Sequence, residues 1–351
     1  MAQWNIEDVW NDALIVGRAE RENKPRDYIY ASEIGKNFWD RYQKMMGVEP
    51  TNPYDARLLR KFAAGNLFED LVGMMLKKCG ILIAEQERVE LPETHETLRV
   101  SGRIDFHAGG IVDWDEAVTR VDKEDMPEAI KNVCYKIIER FRAEYPAGLD
   151  DCIIEVKSVN SMLFWAKKDY LQEAYPWHIY QTLTYMKVKG KPGKVMYISK
   201  DDLTVKECDI VVTPEMEEEF KLDLVMMTKY YRDKEEPPKP PIVIFDPRKK
   251  YTFSAKKELE KIGTAPEILK LMTPYFDDLV SVSAAYKVEF KGQHEVNWEY
   301  ERSQYRNLLT DTTSDDEFDD WYSEQQTVAR DKDKLRKEAF MDKIKSLTPP
   351  K

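Results

Sequence analysis

Four short patterns carry polar side chains at spacings that could do chemistry: Gly65-Asn-Leu-Phe-Glu69, Gly102-Arg-Ile-Asp105, Glu155-Val-Lys157 and Gln181-Thr-Leu-Thr-Tyr185. Glu155 and Lys157 sit in Ile153-Ile-Glu-Val-Lys-Ser158, which reads as a strand. Residues two apart on a strand share a face, so the carboxylate and the ammonium project together while Ile154 and Val156 face the other way. Asp105 ends a neighbouring apolar stretch. Two carboxylates beside a lysine suit metal-assisted phosphodiester hydrolysis. Carboxylate oxygens bind Mg²⁺, a hard cation. The lysine can orient the attacking water or stabilise charge growing on the phosphate. Such carboxylates are expected to be ionised at neutral pH.

Each pattern has an ordinary alternative. Glu-x-Lys is most often a surface pair on a half-exposed strand, Asp105 a turn residue, and Glu69 a solvated helix charge. Gln181 and Tyr185, four apart, share a helical face, where Tyr185 could simply pack in a core. The combination and order of the four raise the odds of a site. His107, two residues past Asp105, and His178 read as polar surface histidines.

The elements that must hold these residues follow from periodicity and punctuation. Helices are expected at 6–22 and 33–46, the second capped by Ser32 and stopped by Gly47. A long helix opens at Asn52-Pro53 and runs to about Lys78, ended by Gly80. Strands follow at 81–91 and 97–107, with a short one after Gly109-Gly110. The charged segment 114–148, with a helix from Pro127 to about Glu144, reads as an insertion. A strand at Cys152–Lys157, helices near 161–173 and 176–188, a hairpin of 194–199 with 204–212, and a helix over 214–232 complete the pattern. The proline-rich Glu235-Glu-Pro-Pro-Lys-Pro-Pro marks a boundary. It separates a core of residues 1–234 from an extension of 235–351. The extension holds a strand at 285–290, an acidic run over 311–320 read as a flexible loop, and a charged helical tail from 328.

The order Gly65…Glu69, Gly102-x-x-Asp105, Glu155-x-Lys157, Gln181-x-x-x-Tyr185 resembles the PD-(D/E)XK nuclease superfamily. Within it, the chain is most similar to the RecB-like branch, which holds the RecB and AddB nuclease domains, the CRISPR-associated RecB-like exonucleases and phage exonucleases. The resemblance covers roughly residues 30–212. It implies an α/β, restriction-endonuclease-like fold: a mixed central sheet flanked by helices, here with a helical insertion and a C-terminal extension. By resemblance, Asp105, Glu155, the Val156 carbonyl and Glu69 would bind metal, Mg²⁺ or Mn²⁺. Asp105, Glu155, Lys157 and Glu69 would form the catalytic set, and Gln181 and Tyr185 would help place DNA. Ser32-Glu33 matches the Ser-rich segment that opens many such domains. The implied activity is a metal-dependent deoxyribonuclease, with exonucleolytic action in recombination, repair or phage DNA processing. The alternative is a nuclease-fold protein that binds DNA or a partner with little or no cutting.

The chain departs from the branch in two places. Phe68 stands where many members carry His, and Phe cannot bind a metal. The segments that hold a [4Fe–4S] cluster in many members, here around Ser32–Trp39 and Trp298–Tyr305, contain no Cys, so no cluster is expected.

Composition bounds the partners. The 351 residues carry 54 Lys+Arg against 65 Asp+Glu, a net charge of −11, with 42% hydrophobic and 11% aromatic residues. This is neither a collagenous nor a fully disordered chain. Four widely spaced cysteines without a CxxC make no disulfide scaffold or zinc knuckle, and they point to reduced thiols. No stretch approaches a membrane span, and the N-terminus lacks a signal-peptide core. The expected location is cytoplasmic, in a bacterial cell or a phage-infected host. An acidic body is a poor omen for a nucleic-acid partner unless its bases are gathered. The best-placed cluster is Lys187, Lys189, Lys191 and Lys194, after the Gln181/Tyr185 helix. Arg57, Arg60 and Lys61, Lys167-Lys168, and Arg248–Lys250 are further candidates. Trp165, Tyr170, Tyr175, Trp177 and Tyr180 interleave with these bases, as core or as stacking platforms. The extension is a candidate docking region for a protein partner, and oligomerisation is left open.

Overall fold

Alternating apolar residues along 82–110 and 149–159 build the centre of the first of two units. A computed structural model of the chain describes residues 5–19, 24–110, 113–123, 125–160 and 174–347. It divides the chain into residues 1–49 with 54–237, and residues 50–53 with 238–351.

The first unit contains, in order, α1 (Ile6–Ala19), β1 (Ile29–Tyr30), α2 (Phe38–Met46), α3 (Ala56–Lys78), β2 (Leu82–Leu91), β3 (Val100–Gly110), α4 (Trp114–Lys123), α5 (Glu128–Glu144), β4 (Leu149–Val159), α6 (Pro176–Lys189), β5 (Gly193–Ser199), β6 (Val205–Asp209) and α7 (Pro214–Asp233). It is an α/β unit with a mixed, six-stranded sheet flanked by helices. One run of neighbours is β1-β3-β4-β5-β6, and β2 also pairs with β3. β2 and β4 lie antiparallel to β3, while β4 and β5 are parallel.

The pairing leaves a gap. Along one edge of β3, β2 pairs from Val100 to Ala108. On the other edge β1 takes Val100 and Ser101, and β4 joins only from Phe106 onward. Gly102–Asp105 therefore have no strand partner on that edge.

Helices cover both faces. On one, Val72 of α3, with Phe68 and Leu76, packs on Phe106, Ile154, Val156, Met196 and Ile198. On the other, Leu183 and Tyr185 of α6 meet Val100, Ile104 and Ile153, beneath Phe220, Leu224 and Met227 of α7. The expected insertion is α4 with α5. Its own small core joins Trp114, Ala117, Val121, Cys134 and Ile138 to Cys79 and Ile81.

Two expected caps move. Asp55, not Asn52, caps α3, accepting the Leu58 N–H at 2.7 Å. Asn37, not Ser32, caps α2, because residues 31–33 form a separate 3-10 turn. Gly47, in the left-handed region, ends α2 as expected. The residues after Gly109-Gly110 lead into α4 rather than a further strand, with 111–112 outside the described residues. The helix expected near 161–173, with Trp165, Lys167, Lys168 and Tyr170, also lies outside them.

The second unit holds β7 (Val243–Ser254), α8 (Lys256–Leu259), α9 (Ala265–Met272), β8 (Leu279–Val282), β9 (Lys287–Val296), α10 (Trp298–Arg302), α11 (Arg306–Thr310) and α12 (Asp315–Leu347). Its antiparallel sheet has the order β7-β9-β8. Phe340 and Ile344 of α12 pack with Phe253, Val288 and Phe290. Buried Asp333 of α12 accepts the His294 backbone N–H at 3.0 Å, and its carboxylate also meets His294 Nδ1 and the Arg336 guanidinium. Asn52 belongs to this unit, where its N–H donates to the Gln304 carbonyl at 2.8 Å. The acidic run is not a flexible loop. From Asp315 it forms the first turns of α12, where carboxylates meet the positive end of the helix dipole. Thr313 and Ser314 cap that end through Glu317.

Lys61, Gly65, Glu69 and Gly73 recur every four residues and form one stripe of α3. At Gly73 an added Cβ would stand 2.6 Å from the buried Phe106 ring, whereas at Gly65 it would make an ordinary 3.5 Å contact with Ser158 Oγ. Gly73→Ala should therefore destabilise the protein by roughly 1–3 kcal/mol through overpacking. Gly65→Ala should stabilise it by up to about 1 kcal/mol through helix propensity. Urea melts of the two variants check this; shifts of the same sign would contradict the packing described.

Candidate active site

The gap in β3 is filled by side chains. Where β4 would have continued its ladder, the Asp105 carboxylate instead accepts the Val156 N–H at 2.8 Å. Two residues upstream, the Tyr185 hydroxyl accepts the Arg103 backbone N–H and also takes the Gln181 amide at 3.0 Å. Tyr185 can lie on β3 because residue 102 is Gly: a Cβ there would be 2.5 Å from the ring. Gln181 and Tyr185 are both buried, Tyr185 to 1% exposure. They act on the site by holding the open edge.

Across from Asp105, β2 carries Gln86 in the left-handed region, φ 54°. Its neighbours keep register, Glu85 opposite Phe106 and Glu87 opposite Ile104. Such a conformation costs a non-glycine residue on the order of 1 kcal/mol. The Gln86 amide donates to the Glu69 carboxylate, so the strained turn ties α3 to the site.

Glu155, 0% exposed, pairs with the Lys157 ammonium through one oxygen; its other oxygen is buried, with the Asp105 carboxyl in hydrogen-bonding reach of Glu155. Asp105 is 8% exposed. Burial, together with the neighbouring Glu155 charge, pushes Asp105 up to about 7. Burial raises Glu155 as well, against the pull of Lys157. Glu69 is raised by burial and by Asp105. Burial alone would lower Lys157, but Glu155 and Asp105 outweigh it and hold the amine above its ordinary value. Lys157 is thus a fixed cation. Burial first, and the neighbouring carboxylates second, thus work against the ionisation expected of these groups at neutral pH when no metal is bound.

The structure brings together Asp105, Glu155, Lys157 and Glu69 from β3, β4 and α3, with Gln181 and Tyr185 bracing them from α6. Among the described residues, no three His, Cys, Asp or Glu side chains form a metal-ligating set. Glu69 is engaged by Gln86. The donors in hand are two buried carboxylates, Asp105 and Glu155, beside the Val156 peptide. That set fits a hard cation such as Mg²⁺, which is commonly held by one or two carboxylates with water and substrate oxygens completing the shell.

The expected basic cluster is neutralised within the protein. Lys187 pairs with Glu217 at 2.7 Å, Lys189 with Glu87, Lys191 with Asp151 at 2.6 Å, and Lys194 with Glu207 at 2.7 Å. Neither histidine is a free surface group. His107 bonds Asp151. His178 Nδ1 meets the Tyr197 hydroxyl at 2.9 Å, and its ring is held well below its usual range by burial and by Lys157. Tyr175 and Trp177 stack at 4.9 Å beside it, and Tyr180 is buried. Sequence reasoning missed Gln86, Arg103 and Lys36 around the site. Arg103 was legible, since it shares a strand face with Asp105.

No family model and no curated protein matches the chain. Among solved structures, that of SSO0001 is similar to it, with a TM-score of 0.38 and 11% identity over 68% of this chain and 90% of the other. No helix among the described residues is long and apolar enough to cross a membrane.

The raised Asp105 makes a prediction for the metal-free protein. Its carboxyl prefers the proton in the folded state, so its contribution is complete below about pH 4, the unfolded value. That contribution is lost as pH rises to about 7, with a slope of at most about 1.4 kcal/mol per pH unit. Asp105→Asn keeps an oxygen for the Val156 N–H and removes the charge. Urea unfolding in a chelator should show a flatter pH dependence and a more stable variant at pH near 8. An unchanged slope would show that Asp105 is ionised throughout.

Proposed function

We propose that the first unit is a Mg²⁺- or Mn²⁺-dependent DNA hydrolase with the PD-(D/E)XK nuclease fold, acting from DNA ends. The observation that carries this reading is the convergence of Asp105, Glu155 and Lys157 at an open strand edge, with both carboxylates buried. An ion pair of Glu155 with Lys157 alone does not call for a second buried carboxylate beside it.

In this reading, Asp105, Glu155 and the Val156 carbonyl hold the metal, and Glu69 joins them if Gln86 releases it. The bound ion would lower the pKa of an attacking water and neutralise the two carboxylates. Lys157, beside Glu155, would serve as a hydrogen-bond donor. It orients the water and stabilises charge growing on the phosphoryl oxygens. Water adds to phosphorus, the bond to the 3′-oxygen breaks, the water gives up a proton and the leaving oxygen gains one. Gln181 and Tyr185 keep β3 and β4 splayed, which holds Asp105 and Glu155 within reach of one ion.

End-labelled single- and double-stranded DNA, incubated beside a circular substrate with Mg²⁺ or Mn²⁺, tests the reading. The linear substrates should be degraded, the circle spared, and a chelator should stop the reaction. Asp105→Ala and Lys157→Ala should each lose at least about 10²-fold in rate, the scale for removing a preorganised charge. Variants that cut like wild type would overturn the site. A wild type that binds DNA and cuts with neither metal would favour the non-cutting alternative.

A further inference from the structure

β2 and β3 change faces together, at one level of the sheet. Residues two apart on a regular strand share a face. Glu85 and Glu87 do not. The Glu85 carboxylate lies against α3, 3.6 Å from where a Cβ at Gly73 would stand, whereas Glu87 reaches to Lys189 of α6 on the opposite face. Their partners on β3 divide in the same way. Phe106, opposite Glu85, packs with Phe68 and Val72 of α3. Ile104, opposite Glu87, packs with Leu183 and Tyr185 of α6. The ladder omits the two residues between, Gln86 and Asp105. Both strands turn over at this pair.

Turning over takes a residue outside the extended region, and β2 supplies it. Gln86 has φ 54°; the other positive φ angles of the two strands belong to Gly109 and Gly110, at the far end of β3. Asp105 itself keeps a negative φ. Glycine would adopt the conformation of Gln86 without steric cost. The glutamine bears that cost while its amide donates to Glu69 of α3.

The consequence falls on Asp105. On a regular stretch of β3 its side chain would stand on one face of the sheet or the other. Its carboxylate instead accepts the Val156 N–H at 2.8 Å, a backbone group that on a strand points along the sheet toward its neighbour. Val156 directly follows Glu155, so the same contact brings the two carboxylates together. Extra residues in a ladder are a known means of redirecting one side chain beside a site. We propose that Gln86 is a positioning residue of the site: its left-handed backbone turns β2 over in step with β3, and so directs the Asp105 carboxylate edgewise toward Val156 and Glu155. This deepens the hydrolase reading and rests on it only for the catalytic use of Asp105.

Hydrogen–deuterium exchange at the Val156 amide, followed by NMR on the metal-free full chain, reads the direction of Asp105. Gln86→Val places a β-branched residue where the left-handed region excludes it. Exchange at Val156 should quicken at least about tenfold, as in Asp105→Ala, while amides joining β4 to β5 stay within about threefold. Gln86→Gly keeps the backbone conformation and Gln86→Ala removes only the amide, so both should leave Val156 protected to within about threefold of wild type. With Mg²⁺ and linear DNA, kcat of Gln86→Val should fall at least about tenfold with KM little changed, and Gln86→Gly should recover much of that loss. Unchanged exchange in Gln86→Val, or a Gln86→Val protein that cuts as fast as an active wild type, would overturn the proposal. Loss of protection in Gln86→Gly would overturn it as well, even if the valine variant does not fold. Loss in Gln86→Ala would move the role from the backbone to the tie with Glu69. The two readings fail separately. The expected exchange pattern without cleavage by wild type would remove the hydrolase and keep Gln86 as the residue that directs Asp105. Cleavage by wild type with unchanged exchange in Gln86→Val would do the reverse.

Discussion

The four residues of β3 whose edge toward β4 is open, Gly102–Asp105, govern the rest of the first unit. A sheet edge in a protein interior must satisfy its peptide groups. Here two side chains do so, Tyr185 for the Arg103 N–H and Asp105 for the Val156 N–H of the departing strand. Each substitution of side chain for ladder has a structural cost. Tyr185 needs Gly102 beneath it, and Asp105 must accept burial beside Glu155. A fully zipped β3–β4 ladder would need neither. It would also place Asp105 and Glu155 in an ordinary register, with no polar notch between the strands.

α3 is subordinate to that notch. Its stripe of Lys61, Gly65, Glu69 and Gly73 presents two glycines toward the sheet, an expensive choice in a helix interior. Gly73 allows contact with Phe106, the residue after Asp105, and so sets the depth at which Glu69 arrives. The left-handed Gln86 then catches Glu69 from the opposite strand. Strain at one residue and lost helix propensity at two are all spent within a few residues of Asp105.

Much of this was legible in the sequence because it is local. Glu155-x-Lys157 share a face by strand periodicity. Gln181 and Tyr185 share one by helical periodicity, and Pro176, Gly47 and Gly80 punctuate as their chemistry requires. What escaped was non-local. Nothing in Gly102-x-x-Asp105 says that its glycine serves a tyrosine on another element, or that Gln86 would adopt a left-handed turn. The cap of α3 was misplaced by three residues because Asn52-Pro53 is as good a start signal as Asp55, and only the partners of Asn52 in the second unit decide between them. β7 was missed because Asp246-Pro-Arg-Lys-Lys250 interrupts its pattern, at the point where its pairing with β9 is irregular. The acidic run was taken for a loop, although Ser314-x-x-Glu317 is a capping signal.

The net charge of −11 was the strongest sequence argument against a polyanionic partner. The ion pairs give that number a different meaning. Glu87, Asp151, Glu207 and Glu217 are part of the acid surplus, and each occupies a lysine of the 187–194 cluster. Acid placed this way does more than repel. It neutralises the basic surface of that cluster. A strongly basic protein would bind nucleic acid almost anywhere. The surplus of carboxylates is then compatible with the proposed substrate, because the charge that decides binding is the local remainder and not the sum.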